Sequence, residues 1–416
     1  MNEDIIADAH IGVKCGLCLP HCPTYTQTQN ENESPRGRVA LIQAWAGHQL
    51  DTSDKLIEHI DNCLLCRSCE KVCPAVVPYG RLIDNFRNQV YAQNHSPFAL
   101  SVLKKVSHNK TINRLAHSGL KLYQKTRLQK TARLLRLPNL LRLDKIDRLL
   151  PGINRNSISL SQAPLKHFYV ASAGVKGTVG LFTGCMGTLL DQETVYAAIK
   201  VLTAAGFNVS LPGQQTCCGA LDLHDGDRET AEQLAKINCS AFANQGLDAI
   251  VTIASGCGSH LQEYKQSEFA GNIVDISQFL SQSDCNLGEQ LMPLAVSVCL
   301  HTPCSLKNIM REEKGAIKLL EQLPGIKIRA LPETAPCCGS AGSYMLKHPK
   351  MAQAFLADLL EAALETQPDY LVSSNIGCVL HIAAGLRDRG IRMEVVHPIV
   401  LIARQLRVLY SINALE

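Results

Sequence analysis

The sequence predicts a multidomain protein: an N-terminal α-helical module, a helical linker, and then two repeated α/β domains. Three observations carry this reading. Seven of the 18 cysteines fall in two tight runs before residue 95, none falls between 96 and 165, and the other eleven lie in a region that repeats. The boundaries this gives are 1–95, 96–165, 166–290 and 291–416. Length agrees, since 416 residues suffice for two or three domains of ordinary size.

Composition sets the class. Hydrophobic residues make up 46 % and charged residues 19 %, which excludes a disordered or collagen-like chain. A net charge of +4 is too small to imply a nucleic-acid binder. The opening MNEDIIADAH lacks the basic start and apolar core of a signal peptide, and no apolar stretch reaches the ~18 residues of a membrane span. A cytoplasmic location is therefore expected. In a reducing compartment, cysteine clusters read as metal or redox sites, with a disulfide framework as the alternative.

The N-terminal module carries the most specific signal. Cys63-Leu-Leu-Cys66-Arg-Ser-Cys69-Glu-Lys-Val-Cys73-Pro74 is a complete C-x2-C-x2-C-x3-C-P run. Its spacing wraps three thiolates round one iron–sulfur cube while the fourth reaches a neighbouring cube. Zinc ribbons use pairs of C-x2-C without the trailing proline. The upstream run, Gly12-Val-Lys-Cys15-Gly-Leu-Cys18-Leu-Pro-His-Cys22-Pro23, has the same pattern with Gly12 in the first cysteine position. Exchange of fourth ligands then assigns Cys63, Cys66, Cys69 and Cys22 to one [4Fe–4S] cluster. Cys15, Cys18 and Cys73 are left for the other. That second site reads as a [3Fe–4S] centre, or as a [4Fe–4S] cube completed by water, His10 or Asp8, or as a lost cluster. The insert SPRGRVALIQAWAGHQL between the runs is helix-like, so a helical ferredoxin-like domain is expected over 1–95 in place of a compact βαβ ferredoxin.

The linker is basic and leucine-rich. Residues 101–155 hold 14 Lys/Arg and 2 Asp/Glu, a local charge of +12 that leaves −8 for the rest of the chain. The pattern reads as short amphipathic helices ended by Pro138 and Pro151. Either this is a solvated linker, or it is a docking face for an acidic partner or an anionic membrane surface.

The repeat organises the remainder. Cys185 aligns with Cys304, Cys217-Cys218-Gly219 with Cys337-Cys338-Gly339, and Cys257 with Cys378, at offsets of 119, 120 and 121 residues. Their surroundings agree, TVGLFTGC with SVCLHTPC and DAIVTIASGC with DYLVSSNIGC. In each half a β-rich run leads to a cysteine, then a helix, a second strand leads to CCG, then another helix, and a third strand ends at the last cysteine. The helices are read at QETVYAAIKVLTAAG and RETAEQLAKINCSAFANQG in the first half, and at LKNIMREEKGAIKLLEQL and PKMAQAFLADLLEAAL in the second. Such alternation gives βαβ units and a parallel sheet, with ligands gathered beyond the carboxyl ends of the strands. The sets Cys185, Cys217, Cys218, Cys257 and Cys304, Cys337, Cys338, Cys378 are each expected to converge there as metal ligands. Plainly packed thiols are the alternative. Cys239, Cys285 and Cys299 lie outside every pattern, and Cys239 and Cys299 read as core thiols.

Two ferredoxin-type runs, a PRGR segment and two CCG domains together resemble the iron–sulfur subunit of glycolate oxidase. The strings CPTY, SPRGR, ASGCG, CCGSAGSY and NIGC carry the resemblance across nearly the whole chain, most weakly in the basic linker. Related domains occur in heterodisulfide reductase, D-lactate oxidation systems and anaerobic glycerol-3-phosphate dehydrogenase. The resemblance implies an electron-transfer subunit: a separate flavin subunit oxidises a 2-hydroxy acid such as glycolate, and clusters here pass electrons singly towards a quinone or another membrane acceptor. No G-x-G-x-x-G opens a helix after a strand, so the flavin is expected on that partner. Full CCG domains of heterodisulfide reductase end in C-x2-C and hold a non-cubane cluster. Ala254 and Asn375 replace the first cysteine of that motif, which fits an ordinary four-thiolate cluster better. His301, beside Cys304, and His381, after Cys378, are expected either to tune a cluster or to be satisfied core histidines.

Overall fold

A computed structural model describes residues 2–91, 98–126, 128–141, 143–150, 164–172, 174–283, 285, 287–332, 335 and 337–407. Strands form where the sequence runs apolar and β-branched. In the first repeat these are β1 (Phe168–Tyr169), β2 (Gly177–Phe182), β3 (Phe207–Ser210), β4 (Ala249–Thr252) and β5 (Ile273–Asp275). In the second they are β6 (Ser297–His301), β7 (Lys327–Ala330), β8 (Tyr370–Ser373) and β9 (Glu394–Val396). The AIVT of β4 is buried throughout, as a strand covered by helices on both faces requires.

The first sheet has the order β1-β3-β2-β4-β5 and the second β7-β6-β8-β9. All pairings are parallel except β1 with β3. Chain progress reverses between β2 and β4, and again between β6 and β8. At such switch points an open sheet leaves a crevice outside its carboxyl ends. The sequence pattern showed three strands per repeat; β1, β5 and β9 are additions at the sheet edges, too short to leave a periodic signal. The helix expected over 306–323 is in fact broken. A π-turn at Leu306–Met310 ends at Arg311, which has a φ of 60°, and helix resumes at Gly315–Leu320. Gly315 is required there, because a Cβ would stand 2.5 Å from the backbone of Gln278.

One apolar core joins the two repeats. Val195 and Leu202 from helix Gln192–Ala204, Leu280 and Leu319 from the helices between the sheets, and Ile399 and Ile402 from helix Pro398–Gln405 are all within it. Arg404 clamps this junction, donating to Glu193 at 2.7 Å and Glu394 at 2.6 Å.

The N-terminal module is helical among the described residues. Helices Asn2–His10, Pro35–Ala46, Asp54–Asp61 and Tyr79–Tyr91 bury Ile5, Ile42, Ile60, Leu82, Ile83 and Phe86 between them. Ser34 caps the second of these by accepting from the Gly37 N–H, and Pro35 follows at the first helical position. Gly37 is obligatory, since a Cβ would lie 1.9 Å from the Glu31 carbonyl oxygen.

The linker helices Phe98–His108, Lys110–Lys125, Leu128–Leu134, Leu137–Leu140 and Asp144–Leu149 do not stand in solvent as a free spacer. Lys104 reaches Asp225 at 2.6 Å, Arg148 reaches Asp388 at 2.7 Å, and Lys145 donates to the Leu346 carbonyl at 2.7 Å. Part of the acidic partner implied by the +12 charge is this chain's own repeat region.

Candidate metal centres

Both N-terminal cysteine runs adopt the same backbone. Lys14 and Leu65, each directly before a cysteine, have φ values of 56° and 50°. Gly16 and Arg67, each directly after it, have 89° and 55°. Three of these four carry side chains in the left-handed region, at a cost on the order of 1 kcal/mol each. Such repeated strain is maintained where a loop must curl its side chains round one centre. The upstream run keeps this geometry although Gly12 replaces its first cysteine.

Cys22, Cys63, Cys66 and Cys69 line one small pocket with Arg38 and Tyr79. Burial pushes the Cys66 and Cys69 thiols well up, and neighbouring cysteines push them further. Buried thiols crowded in this way resist ionisation unless a cationic centre bonds several at once. The donor set thus fits a cluster. Tyr79 O–H donates towards Cys63 Sγ at 3.7 Å, the Leu65 N–H donates at 3.4 Å, and Cys22 Sγ lies 3.2 Å from the Thr24 hydroxyl. Arg38, the last residue of the PRGR segment, is 1 % exposed. It donates to the Glu33 carboxylate at 2.5 Å and to the Thr24 hydroxyl at 3.0 Å. Burial opposes its charge, yet Tyr79, Cys63, Cys22 and Glu33 hold the guanidinium firmly protonated.

A second pocket is lined by Gly12, Cys15, Cys18 and Cys73, together with Cys69 and Arg36. The two N-terminal sites therefore adjoin at Cys69. Neither Asp8 nor His10 lines this pocket. Asp8 is taken by Arg81, whose Nε donates to it at 2.8 Å, and His10 is exposed at its helix end. Of the alternatives for this site, ligation by Asp8 or His10 is thereby corrected, because the fork of Arg81 already satisfies the Asp8 carboxylate.

In each repeat the four thiols form a chain beyond the strand ends. Cys185 Sγ lies 3.7 Å from Cys217 Sγ, Cys217 is beside Cys218, and Cys218 beside Cys257. The second repeat orders Cys304, Cys337, Cys338 and Cys378 in the same way, with Cys338 and Cys378 sulfurs 3.0 Å apart. The neighbouring thiol and then burial push Cys185 and Cys304 well up. Glycine is needed after each pair: Gly219 and Gly339 have φ of 84° and 74°, and their N–H groups donate to Cys217 and Cys337 at 3.5 and 3.4 Å. All eight thiols line one cavity of about 270 Å³ shared by the two repeats. Cys299 is fully buried in β6, Cys285 is buried in the shared core, and Cys239 packs at the edge of a core on helix Arg228–Phe242.

His301 sits within 4.8 Å of Cys338 and Cys378, and burial lowers it to about 4. His381 faces the Cys338 carbonyl oxygen at 2.8 Å. Two residues escaped the sequence reading, and a third, Asn375, enters it only as a replaced cysteine. Asn375, in the vacated cysteine position, donates to Cys378 Sγ at 3.4 Å. From the linker, Ser107 sets its hydroxyl against the Cys185 thiol, and His108 has a ring nitrogen within 4.8 Å of Cys217. No motif marks Ser107 or His108, because their role depends on where the linker docks.

Residues 13–77 match a family model described as a 4Fe-4S dicluster domain, and residues 179–262 and 298–383 each match the CCG cysteine-rich domain. The chain is 31 % identical over 408 residues to a probable glycolate oxidase iron–sulfur subunit of Bacillus subtilis (strain 168), covering 92 % of this chain and 90 % of that one. It is 30 % identical to the glycolate oxidase iron–sulfur subunit of Escherichia coli (strain K12), covering 90 % of each. It is 28 % identical to a chain of the fumarate reductase (CoM/CoB) of Methanothermobacter marburgensis, covering 91 % of this chain and 68 % of that one. These likenesses agree with the multidomain fold and the iron–sulfur character expected from the cysteine runs.

Proposed function

The chain belongs to the family of glycolate oxidase iron–sulfur subunits, and on that premise we propose that it relays electrons from a flavin subunit, where a 2-hydroxy acid such as glycolate is oxidised, towards a quinone. One observation carries the reading: the thiol sites adjoin in series. Cys69 lines both N-terminal pockets, Cys63 lines the central cavity as well as its own pocket, and both repeats open onto that cavity. Bound clusters would supply one-electron carriers at these positions. In this reading Cys22, Cys63, Cys66 and Cys69 hold a complete [4Fe–4S] cluster. Cys15, Cys18 and Cys73 hold a cluster with one iron lacking a protein thiolate, and each repeat offers four thiolates for a further cluster. The protein's own work is to exclude water, crowd the thiolates and direct N–H, O–H and Arg38 towards them.

The test uses the complex purified with its native partner. Cys66→Ala removes one thiolate from the complete site and is expected to abolish glycolate-dependent dye reduction. An unchanged rate with unchanged reduced-state EPR overturns the assignment.

The 270 Å³ cavity favours one further reading. Its walls are largely apolar and the eight motif thiols of the repeats line it, so a small disulfide or thiol substrate would meet the metal sites directly. Electron-donor-dependent cleavage of a disulfide by the purified chain distinguishes this catalytic role from pure relay.

We further propose that the linker contacts an anionic membrane surface. Among the described residues no helix is long and apolar enough to cross a membrane. Leu134 is 83 % exposed and Leu140 79 %, with Leu115, Leu122 and Leu135 also bare, and Lys105, Arg114 and Lys121 lie among them. Leucines with basic neighbours suit the headgroup boundary of a bilayer.

A further inference from the structure

The two repeats carry the same thiols, but different segments cover them. Over the first repeat lies the linker. Ser107 lies beside Cys185 with its buried hydroxyl unpaired among the described residues, and Asn113 donates to the Cys185 carbonyl at 3.3 Å. His108, held by Asp222 at 2.8 Å, stands near Cys217. None of these side chains is redox-active.

Over the second repeat lies the N-terminal cysteine loop. Cys66 and Cys337 pack against the same buried group of Leu64, Tyr344, Ala352 and Phe355. Asn308, on the turn that follows Cys304, pins the loop by donating to the Cys66 carbonyl at 2.8 Å. Lys71 and Glu313 pair alongside at 3.8 Å. Where the module touches the first repeat, its hydrogen bonds include Arg67 with Glu263, Asp84 with His224, Arg87 with the His224 carbonyl, and Asn85 with Arg228. None of those contacts involves a thiol.

We propose that the relay is ordered: the N-terminal module exchanges electrons with the repeat region at Cys66, through the Cys304–Cys337 end of the second repeat, and with the first repeat only through the second. Each transfer moves one electron and no proton, oxidising the donor cluster and reducing the acceptor by one electron. The first repeat is thereby the inner station: Cys63 lines the cavity that its thiols share, but the packed contact between the loop and a repeat cysteine is that of Cys66 with the second repeat. This rests on the relay reading above and adds the order of its stations.

Magnetic coupling tests the order without turnover. In the fully reduced protein, the EPR signal of the cluster at Cys22, Cys63, Cys66 and Cys69 is expected to be broadened by a paramagnetic neighbour. Removing the second-repeat cluster with Cys338→Ala is expected to reduce the broadening to what the adjoining cluster at Cys15, Cys18 and Cys73 contributes, and removing the first-repeat cluster with Cys218→Ala to leave it unchanged. Iron content checks that each variant loses one cluster only. If either variant fails to fold, Asn308→Ala keeps every thiol, and a weakened broadening there supports the same contact. Broadening that Cys338→Ala leaves unchanged overturns the proposal, whether or not Cys218→Ala reduces it, as does an unmodified protein whose repeats hold no iron. Loss of glycolate-driven reduction with the coupling pattern intact would instead count against the relay reading.

Discussion

Replacing Gly12 with cysteine restores the one thiolate missing from the upstream run. The backbone tolerates it. A Cβ at Gly12 would meet the Ala9 carbonyl oxygen at 3.5 Å, and methyl groups of Val39 and Val77 at 3.7 Å, all ordinary contact distances, and its φ is not in the left-handed region. Because the native conformation suits an L-residue, the substitution loses unfolded-state entropy and shifts stability by only about 0.4–1 kcal/mol in the favourable direction. The effect on the metal site is larger in kind. If Cys15, Cys18 and Cys73 alone hold a cube, one iron lacks a protein ligand and is expected to be lost on brief exposure to air. The assay is EPR of the oxidised protein after timed exposure. The unmodified protein is expected to develop a [3Fe–4S] signal that Gly12→Cys abolishes, with iron content higher by one atom. Identical spectra and iron content in the two proteins would show that Gly12 does not occupy the vacant ligand position.

Three other outcomes are expected. Arg38→Met leaves Glu33 buried beside His59 and Asn62 without its main counter-charge, which should cost about 3–5 kcal/mol in chemical denaturation, with Arg38→Lys recovering only part. Asp275 caps the helix that follows β5, and burial raises its carboxyl to about 6 from 3.8. The raised folded value means that stability present below pH 4 is lost as pH rises through about 6. Asp275→Asn should therefore flatten the fall between pH 4 and 6 by up to about 3 kcal/mol, and an unchanged denaturation profile would refute it. Sedimentation with anionic liposomes should occur at low salt, vanish at high salt, and weaken in Leu134→Glu with Lys121→Glu. Arg133 is unsuitable for that test, because it holds Asp147 at 2.5 Å within the linker.

The sequence by itself determined everything that depends on short loops. A C-x2-C-x2-C run has few ways to fold, so its thiols converge wherever it is placed. The CCG offsets near 120 residues likewise placed four sulfurs at matching strand ends. Gly12 was legible as a gap for the same reason, since position within a run of ten residues fixes position in space. What tertiary structure alone decided concerns groups far apart in the chain. Cys66 and Asn308 are 242 residues apart, and Ser107 and Cys185 meet through a linker whose basic pattern pointed outward to solvent. Asp8 looked free until Arg81, 73 residues away, closed on it. Such contacts arise from how apolar faces pack and where buried charges find counter-charges. Neither leaves a period in the sequence, so which repeat faces the N-terminal thiols was fixed only when the domains packed together.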